Sequence, residues 1–225
     1  MHLHSIGIYN IFIINLKRNE NRKQHIVKQL EKFNIKYKIY WGWDAKTLGV
    51  ELTDQELEFY YNQKFNNWTK NKELILGRKG ATLSHLKLLK YAITKDLDNI
   101  LVIEDDTIFN TNLIPKLPID ADLVYLGGTS RIKSKIVKHS TNKDWILIKD
   151  FKVLETHAII YPNKNSMLNI YNKLLINSPT VYDAMLSTKI QKHFNCYILN
   201  KKIAHQDRYN FKSDLSYKSQ PIGLF

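Results

Sequence analysis

Apolar residues in this chain fall into two patterns, short unbroken runs and stripes three to four residues apart, and the two alternate along its length. Residues 8–16, "IYNIFIINL", predict a first strand. "NENRKQHIVKQLEKFN" then sets Ile26, Val27, Leu30 and Phe33 at helical spacing, with Asn19 or Asn21 as the N-cap. "YKIYWGWDA" predicts a short aromatic strand. Thr53 and Glu56 stand in capping-box spacing and predict the start of another helix. Residues 80–95 place Leu83, Leu86, Leu89 and Ile93 on one helical face, in a helix opening at Gly80. Further strands are predicted in "ILVIE", "ADLVYLGG", "DWILIKDFKV", "THAIIYP" and "CYILNKKIAHQ", and helices in "NKNSMLNIYNKLL" and "VYDAMLSTKIQKHF".

Strands alternating with helices predict an α/β fold, one domain over residues 1–225, with a mostly parallel central sheet flanked by helices. The opening strand–helix–strand matches half of a doubly wound nucleotide-binding unit. No GxGxxG or Walker-type glycine loop accompanies it, which excludes the dehydrogenase and P-loop readings on their own signatures. The segment from about 127 to 145, rich in Lys and Ser, is the expected lid-like element. No apolar run is long enough to span a bilayer. The N-terminal "IGIYNIFIINL" carries two Asn and no small-residue cleavage site, so it is expected to be a buried strand and not a signal peptide.

Composition sharpens this picture in two places. One cysteine, Cys196, excludes an internal disulfide framework and points to a reducing, cytoplasmic setting. Its surroundings, "FNCYIL", are strand-like and favour a buried, inert thiol. The net charge of +13 implies an anionic partner, such as a nucleotide, an anionic membrane surface touched peripherally, or an acidic glycan. The lysines are spread along the chain with no compact basic block, so specific nucleic-acid binding is not expected.

The informative chemistry lies at "ILVIEDDTIF". Ile100, Leu101, Val102 and Ile103 read as a strand buried on both faces, and they run into Glu104, Asp105 and Asp106. Three adjacent anions repel one another and resist desolvation, so a cation is required. Ligands of open α/β sheets bind beyond the carboxyl ends of the strands. Hard carboxylate oxygens there suit Mg²⁺ or Mn²⁺ shared with a diphosphate. The other reading is a solvated acidic turn balanced by lysines.

Several segments, in this order, resemble glycosyltransferase family 25, the lipooligosaccharide and procollagen galactosyltransferase-like enzymes. An INL-x-R-x-x-x-R opening is matched by Ile14, Asn15, Leu16, Arg18 and Arg22. An Asp-Ala after the second strand is matched by Asp44 and Ala45, and a Gly-Cys-x-x-Ser-His segment by Gly80, Ser84 and His85. The Glu-Asp-Asp strand end follows, then "TVYDAML" and "HQDRYNFKSDL". The resemblance runs from about residue 9 to 216. Ala81 stands where the family usually has Cys, and Arg78 and Lys79 replace the usual Glu-Ile.

The resemblance implies a GT-A-like fold and an inverting, metal-dependent transfer of a hexose from a UDP-sugar to a glycan or glycoconjugate hydroxyl. It implies that Asp106 binds Mn²⁺ or Mg²⁺, with Glu104 or Asp105 orienting ribose or metal waters. Asn15, Arg18, Arg22, Asp44, Ser84 and His85 are then the expected donor-binding positions. Arg18 and Arg22, near a helix start, suit phosphate recognition or are solvated surface arginines. Ser84 and His85 are expected near a helix start as well. Inversion needs a base, for which Asp183 is the candidate, with Glu155 and His205 next. Asp183 also reads as a helix-start carboxylate favoured by the dipole. His205 completes the metal shell or is a packed histidine. Tyr40, Trp41 and Trp43 stack on a base or sugar, or belong to the core.

Overall fold

The computed structural model describes residues 7–51, 53, 72–131, 143–176 and 181–211. A seven-stranded sheet organises them. In spatial order it runs β2 (Lys38–Trp41), β1 (Asn10–Asn15), β3 (Ile100–Glu104), β9 (Ala158–Tyr161), β5 (Leu123–Tyr125), β10 (Cys196–Leu199) and β7 (Trp145–Leu147). β1 pairs in parallel with both β2 and β3, and β5 pairs in parallel with β10. β9 and β7 run against their neighbours. Most strands therefore share one direction, as the alternating pattern predicted. Two short antiparallel pairs flank the sheet, β4 (Thr107–Phe109) with β11 (Ala204–Gln206) and β6 (Thr129–Arg131) with β8 (Lys152–Leu154).

The sheet is buried on both faces because successive side chains of a strand point to opposite sides. Phe12, Ile100, Val102, Tyr125, Ile159 and Tyr161 join one core. That core is covered by α2 (Lys72–Thr94) and α3 (Lys164–Leu175). Ile11, Ile13, Leu101, Ile103, Val124 and Ile160 join the other, with Ile26 and Leu30 of α1 (Glu20–Lys32). This is why β1 and β3 read as unbroken apolar runs: each residue has a core to enter. Cys196 is buried, and burial pushes its thiol well above the ordinary range, as expected for an inert side chain.

Several expectations are corrected. The helix predicted from Gly80 already runs from Lys72 among the described residues, so Gly80, Ser84 and His85 lie within α2 and not at its start. The reason for the glycine is spatial. A Cβ at Gly80 would lie 2.6 Å from the Trp43 carbonyl oxygen and 3.2 Å from the Ala45 nitrogen. Gly80 lets α2 touch the segment after β2; it does not punctuate the helix. "DWILIKDFKV" divides into β7 and β8, and "CYILNKKIAHQ" into β10 and β11, which belong to different sheets. "VYDAMLSTKIQKHF" is a short helix, α4 (Tyr182–Met185), continued by one π-helical turn, Leu186–Ile190. Asn19 is the N-cap residue of α1 but makes no side-chain capping bond. Asn163 does cap α3, accepting from the Ser166 N–H at 2.8 Å. The helix predicted after Thr53, and most of the lid-like segment, lie outside the described residues. Among the described residues no helix is long and apolar enough to cross a membrane.

Candidate active site

β1, β2 and β3 run in parallel, so their carboxyl ends lie side by side. The chain leaves those ends as Leu16–Asn19, Gly42–Ala45 and Asp105–Asp106, and these segments surround an open cleft of about 730 Å³, including space open to solvent. Arg18, Arg22, Trp43, Asp44, Asp105 and Asp106 line it, and Ser84, His85 and Glu104 form its inner wall. The structure thus gathers positions from Ile14 to Gln206 into one place.

The cation required by the acidic strand end is supplied in part by Arg22, from the first turn of α1. Its Nη1 lies 3.3 Å from Asp105 Oδ1 and 3.4 Å from Asp106 Oδ2. Asn15 donates from Nδ2 to Asp105 Oδ2 at 2.8 Å and to the Asn19 carbonyl at 3.1 Å. Gln206 donates to Asp106 Oδ2 at 2.9 Å. Asp106 Oδ1 is buried and has no hydrogen-bond partner among the described residues.

Glu104 has different company. His85 Nε2 donates to its Oε1 at 3.0 Å, and the Thr156 hydroxyl donates to the same oxygen at 2.6 Å. His85 is itself stacked on Tyr182, centroids 4.3 Å apart and rings 12° from parallel. The three carboxyls accordingly diverge. Burial pushes Glu104 up, but the bonds from His85 and Thr156 and the nearby imidazoles outweigh it and hold Glu104 below the usual range. Burial raises Asp105 to about 6, against the opposing pull of Arg22. Asp106 is raised by burial and by the charge of Glu104. One guanidinium therefore neutralises the cluster incompletely, and the unpartnered Asp106 Oδ1 faces that deficit. A hard divalent cation fits this donor set, since such ions take one or two carboxylates and complete their shell with phosphate and water.

The three-ligand set of Asp106, Glu104 and His205 is not assembled. Among the described residues no three His, Cys, Asp or Glu side chains are grouped to hold a metal. Glu104 is turned to His85 and Thr156. His205 sits on β11 with its Nε2 accepting from Asn110 Nδ2 at 3.0 Å, because its neighbour Gln206 takes the side of the strand facing Asp106.

The remaining expected positions have local explanations. Arg18 forms an ion pair with Asp44, joining the turn after β1 to the loop after β2. Ser84 accepts from the Trp43 N–H and donates to the Gly80 carbonyl, each at 2.7 Å, so α2 pins the loop bearing Trp43 and Asp44. Trp43 lines the cleft. Tyr40 instead packs against Tyr91 at 6.0 Å, and Trp41 is exposed. Ala81 lines the cleft where the resemblance led one to expect Cys, whereas Lys79 is used on the Glu51 carbonyl at 2.8 Å. Asp183, at the start of α4, lies outside the cleft lining. Its Oδ2 accepts from the Glu155 N–H at 3.3 Å, and burial above all raises its carboxyl, with Glu104 and Glu155 adding to the effect. Thr156, His157 and Gln206 were not singled out from the sequence. Only Gln206, inside the closing "HQD" segment, carried a signal that would have found it.

Comparison with known proteins shows the family of the chain. The model of glycosyltransferase family 25 (LPS biosynthesis protein) matches residues 8–206, and the chain belongs to that family. It is 30% identical over 135 residues to procollagen galactosyltransferase 2 of Mus musculus, covering 54% of this chain and 21% of that protein. The Homo sapiens procollagen galactosyltransferase 2 matches with the same identity and coverage. The inactive glycosyltransferase 25 family member 3 of Homo sapiens is 25% identical over 135 residues, 54% of this chain and 22% of that protein. The chain thus spans about a fifth of the length of these relatives. Among solved structures it overlays on a glycosyltransferase involved in glycosylation of the major capsid of PBCV-1, with TM-score 0.37 and 8% identity, over 80% of this chain and 73% of that one. So loose a likeness carries nothing further.

Proposed function

We propose that this chain transfers a hexose from a UDP-sugar to a hydroxyl of a glycan or glycoconjugate, with inversion and with Mn²⁺ or Mg²⁺ as cofactor. The observation that carries this reading is the pairing of Arg22 with Asp105 and Asp106 beside an unpartnered Asp106 Oδ1, at the carboxyl ends of three parallel strands. Asp106, with Asp105, would hold the metal, which supplies charge neutralisation for the departing diphosphate. Arg18 and Arg22 bind the diphosphate oxygens, exchanging part of their carboxylate contacts for phosphate. Asn15 and Gln206 hold the two aspartates in place while that exchange occurs. Trp43 offers a ring face to the nucleoside, and Asp44 orients Arg18. His85, fixed by Tyr182, keeps Glu104 ionised and turned inward.

Asp183 is the proposed base. Its raised carboxyl brings its proton affinity closer to that of the reaction medium, the direction that favours proton transfer near neutrality. Calorimetric titration with UDP, with and without Mn²⁺, tests the core of the reading: tighter binding with metal supports it, and equal binding overturns the metal role. A second reading is a glycosyltransferase-like scaffold without turnover, favoured by the likeness to a relative named as inactive. UDP-sugar hydrolysis or transfer above background removes it.

A further inference from the structure

A second cleft of about 540 Å³, including space open to solvent, lies across Gln206 from the first. Gln206 lines both, so the two clefts share one wall. The second is lined by the backbone turn at Gly128 and Thr129, by Glu155, and by Lys202, His205 and Arg208. Its frame is specialised. Gly128 has φ of +117°, and a Cβ there would lie 2.7 Å from the Leu154 carbonyl oxygen. Glu155 has φ of 70°, a left-handed conformation that a side chain adopts at some cost and that concentrates at functional sites. Asp183 holds that turn through the Glu155 N–H.

Charge distinguishes this cleft from the first. Among the described residues Glu155 is its single carboxylate, and Arg208 is ion-paired to it. Lys202 has no ion-pair partner among the described residues, so a positive charge is left over. Beneath them His157 is buried, its Nε2 donating to the Ala204 carbonyl at 3.1 Å, while its Nδ1 lies 4.0 Å from Glu155 Oε2 and has no hydrogen-bond partner among the described residues. Burial, and then the charges of His157 and Lys202, depress His205 below its ordinary range, although Glu155 and a backbone bond oppose them. The lining is polar, with hydroxyl, amide and carboxylate groups suited to a hydroxylated ring.

We infer that this second cleft is the acceptor subsite and that it receives a sugar bearing an anionic group, carboxylate or phosphate, held by Lys202 and Arg208. The inference rests on the donor reading above, because the acceptor is placed across Gln206 from the diphosphate cleft.

The test is an amide-resolved NMR titration of the full chain with glucose 6-phosphate, glucuronate, methyl glucoside and inorganic phosphate at matched ionic strength. Both anionic sugars are expected to shift resonances at 128–129, 155–157 and 202–208, with methyl glucoside about tenfold weaker. Lys202→Ala should weaken the anionic sugars and leave the UDP titration unchanged. The relative strength of the two anionic sugars distinguishes phosphate from carboxylate. Equal binding of methyl glucoside, an unaltered response in Lys202→Ala, or shifts confined to Arg18 and Arg22 would overturn the inference. Inorganic phosphate binding as well as glucose 6-phosphate would also overturn it, revealing a bare ion site. Loss of UDP binding with anionic-sugar binding intact would defeat the donor reading alone and leave the anionic-sugar cleft standing.

Discussion

Asn15 and Asp105 are ninety positions apart in sequence, yet the Asn15 amide donates to the Asp105 carboxylate across 2.8 Å. The parallel register of β1 and β3 pairs Ile14 with Glu104 and so delivers both residues to the same sheet edge. Asn15 is 1% exposed, and its amide gives one hydrogen to the Asp105 carboxylate, opposing the rise that burial imposes, and the other to the Asn19 carbonyl.

Asp106→Asn should abolish the gain in UDP affinity that Mn²⁺ confers while leaving metal-free UDP binding close to that of the wild type. The substitution keeps the bond partners of Oδ2 but replaces half of a hard anionic donor by an amide. Paired calorimetric titrations of the two proteins decide this, and a persistent metal effect would place the ion elsewhere.

Arg22→Ala should weaken UDP binding and also lower stability near pH 7. It leaves Asp105 and Asp106 buried without their guanidinium, and uncompensated buried charge costs on the order of 3–5 kcal/mol when a partner is removed. The destabilisation should shrink as pH falls and the carboxyls take up protons. Thermal melts of both proteins at pH 5 and pH 7 would show it; a pH-independent difference would mean that Arg22 acts through packing.

Metal-free protein should itself lose stability as pH rises from about 4 to about 6. Asp105 titrates near 6 in the folded chain against an ordinary 3.8, so in that window the folded form holds a proton that the unfolded form has released. The full effect is at most about 3 kcal/mol at 1.36 kcal/mol per unit. Asp105→Asn should flatten the curve when measured in chelator. A wild-type and a variant profile of equal slope would assign the dependence to another group.

Gly80→Ala should destabilise the protein by about 1–3 kcal/mol and reduce UDP affinity, although alanine is the better helix former by about 1 kcal/mol. The added methyl would press on the Trp43 carbonyl and the Ala45 backbone, which cannot yield as a side chain does. Chemical denaturation with UDP titration on the same sample would test it, and a stabilised variant would show that α2 can retreat from the loop at no cost.

Asp183→Asn should lower transfer by on the order of a hundredfold or more while barely changing donor affinity, because proton abstraction matters in the transition state and the donor is held elsewhere. Steady-state kinetics beside UDP titration separate the two effects. Near-normal transfer would leave Asp183 as the acceptor of the Glu155 N–H and move the base to Glu155, which lines the neighbouring cleft.

What local pattern determined is whatever depends on a residue's immediate neighbours. An unbroken run such as Ile100–Ile103 read as a strand buried on both faces, and the three carboxylates after it read as a strand end in need of a cation or as a solvated acidic turn. The stripe of Ile26 and Leu30 likewise had only one side to bury. Tertiary structure decided the rest, because it depends on distances across the chain that pattern does not encode. Gly80 looked like a helix boundary and is instead a point of contact between α2 and the Trp43 carbonyl. β9 has the composition of its neighbours β3 and β5 and runs against both, since burial on both faces rewards apolar residues without regard to strand direction. Thr156 carried no chemistry on its own, and it acquired it only when the segment before β9 brought its hydroxyl against Glu104. The charge that needed a partner was legible from ten residues; the partner, Arg22, was set by the fold, because an ion pair forms where the sheet places the two ends.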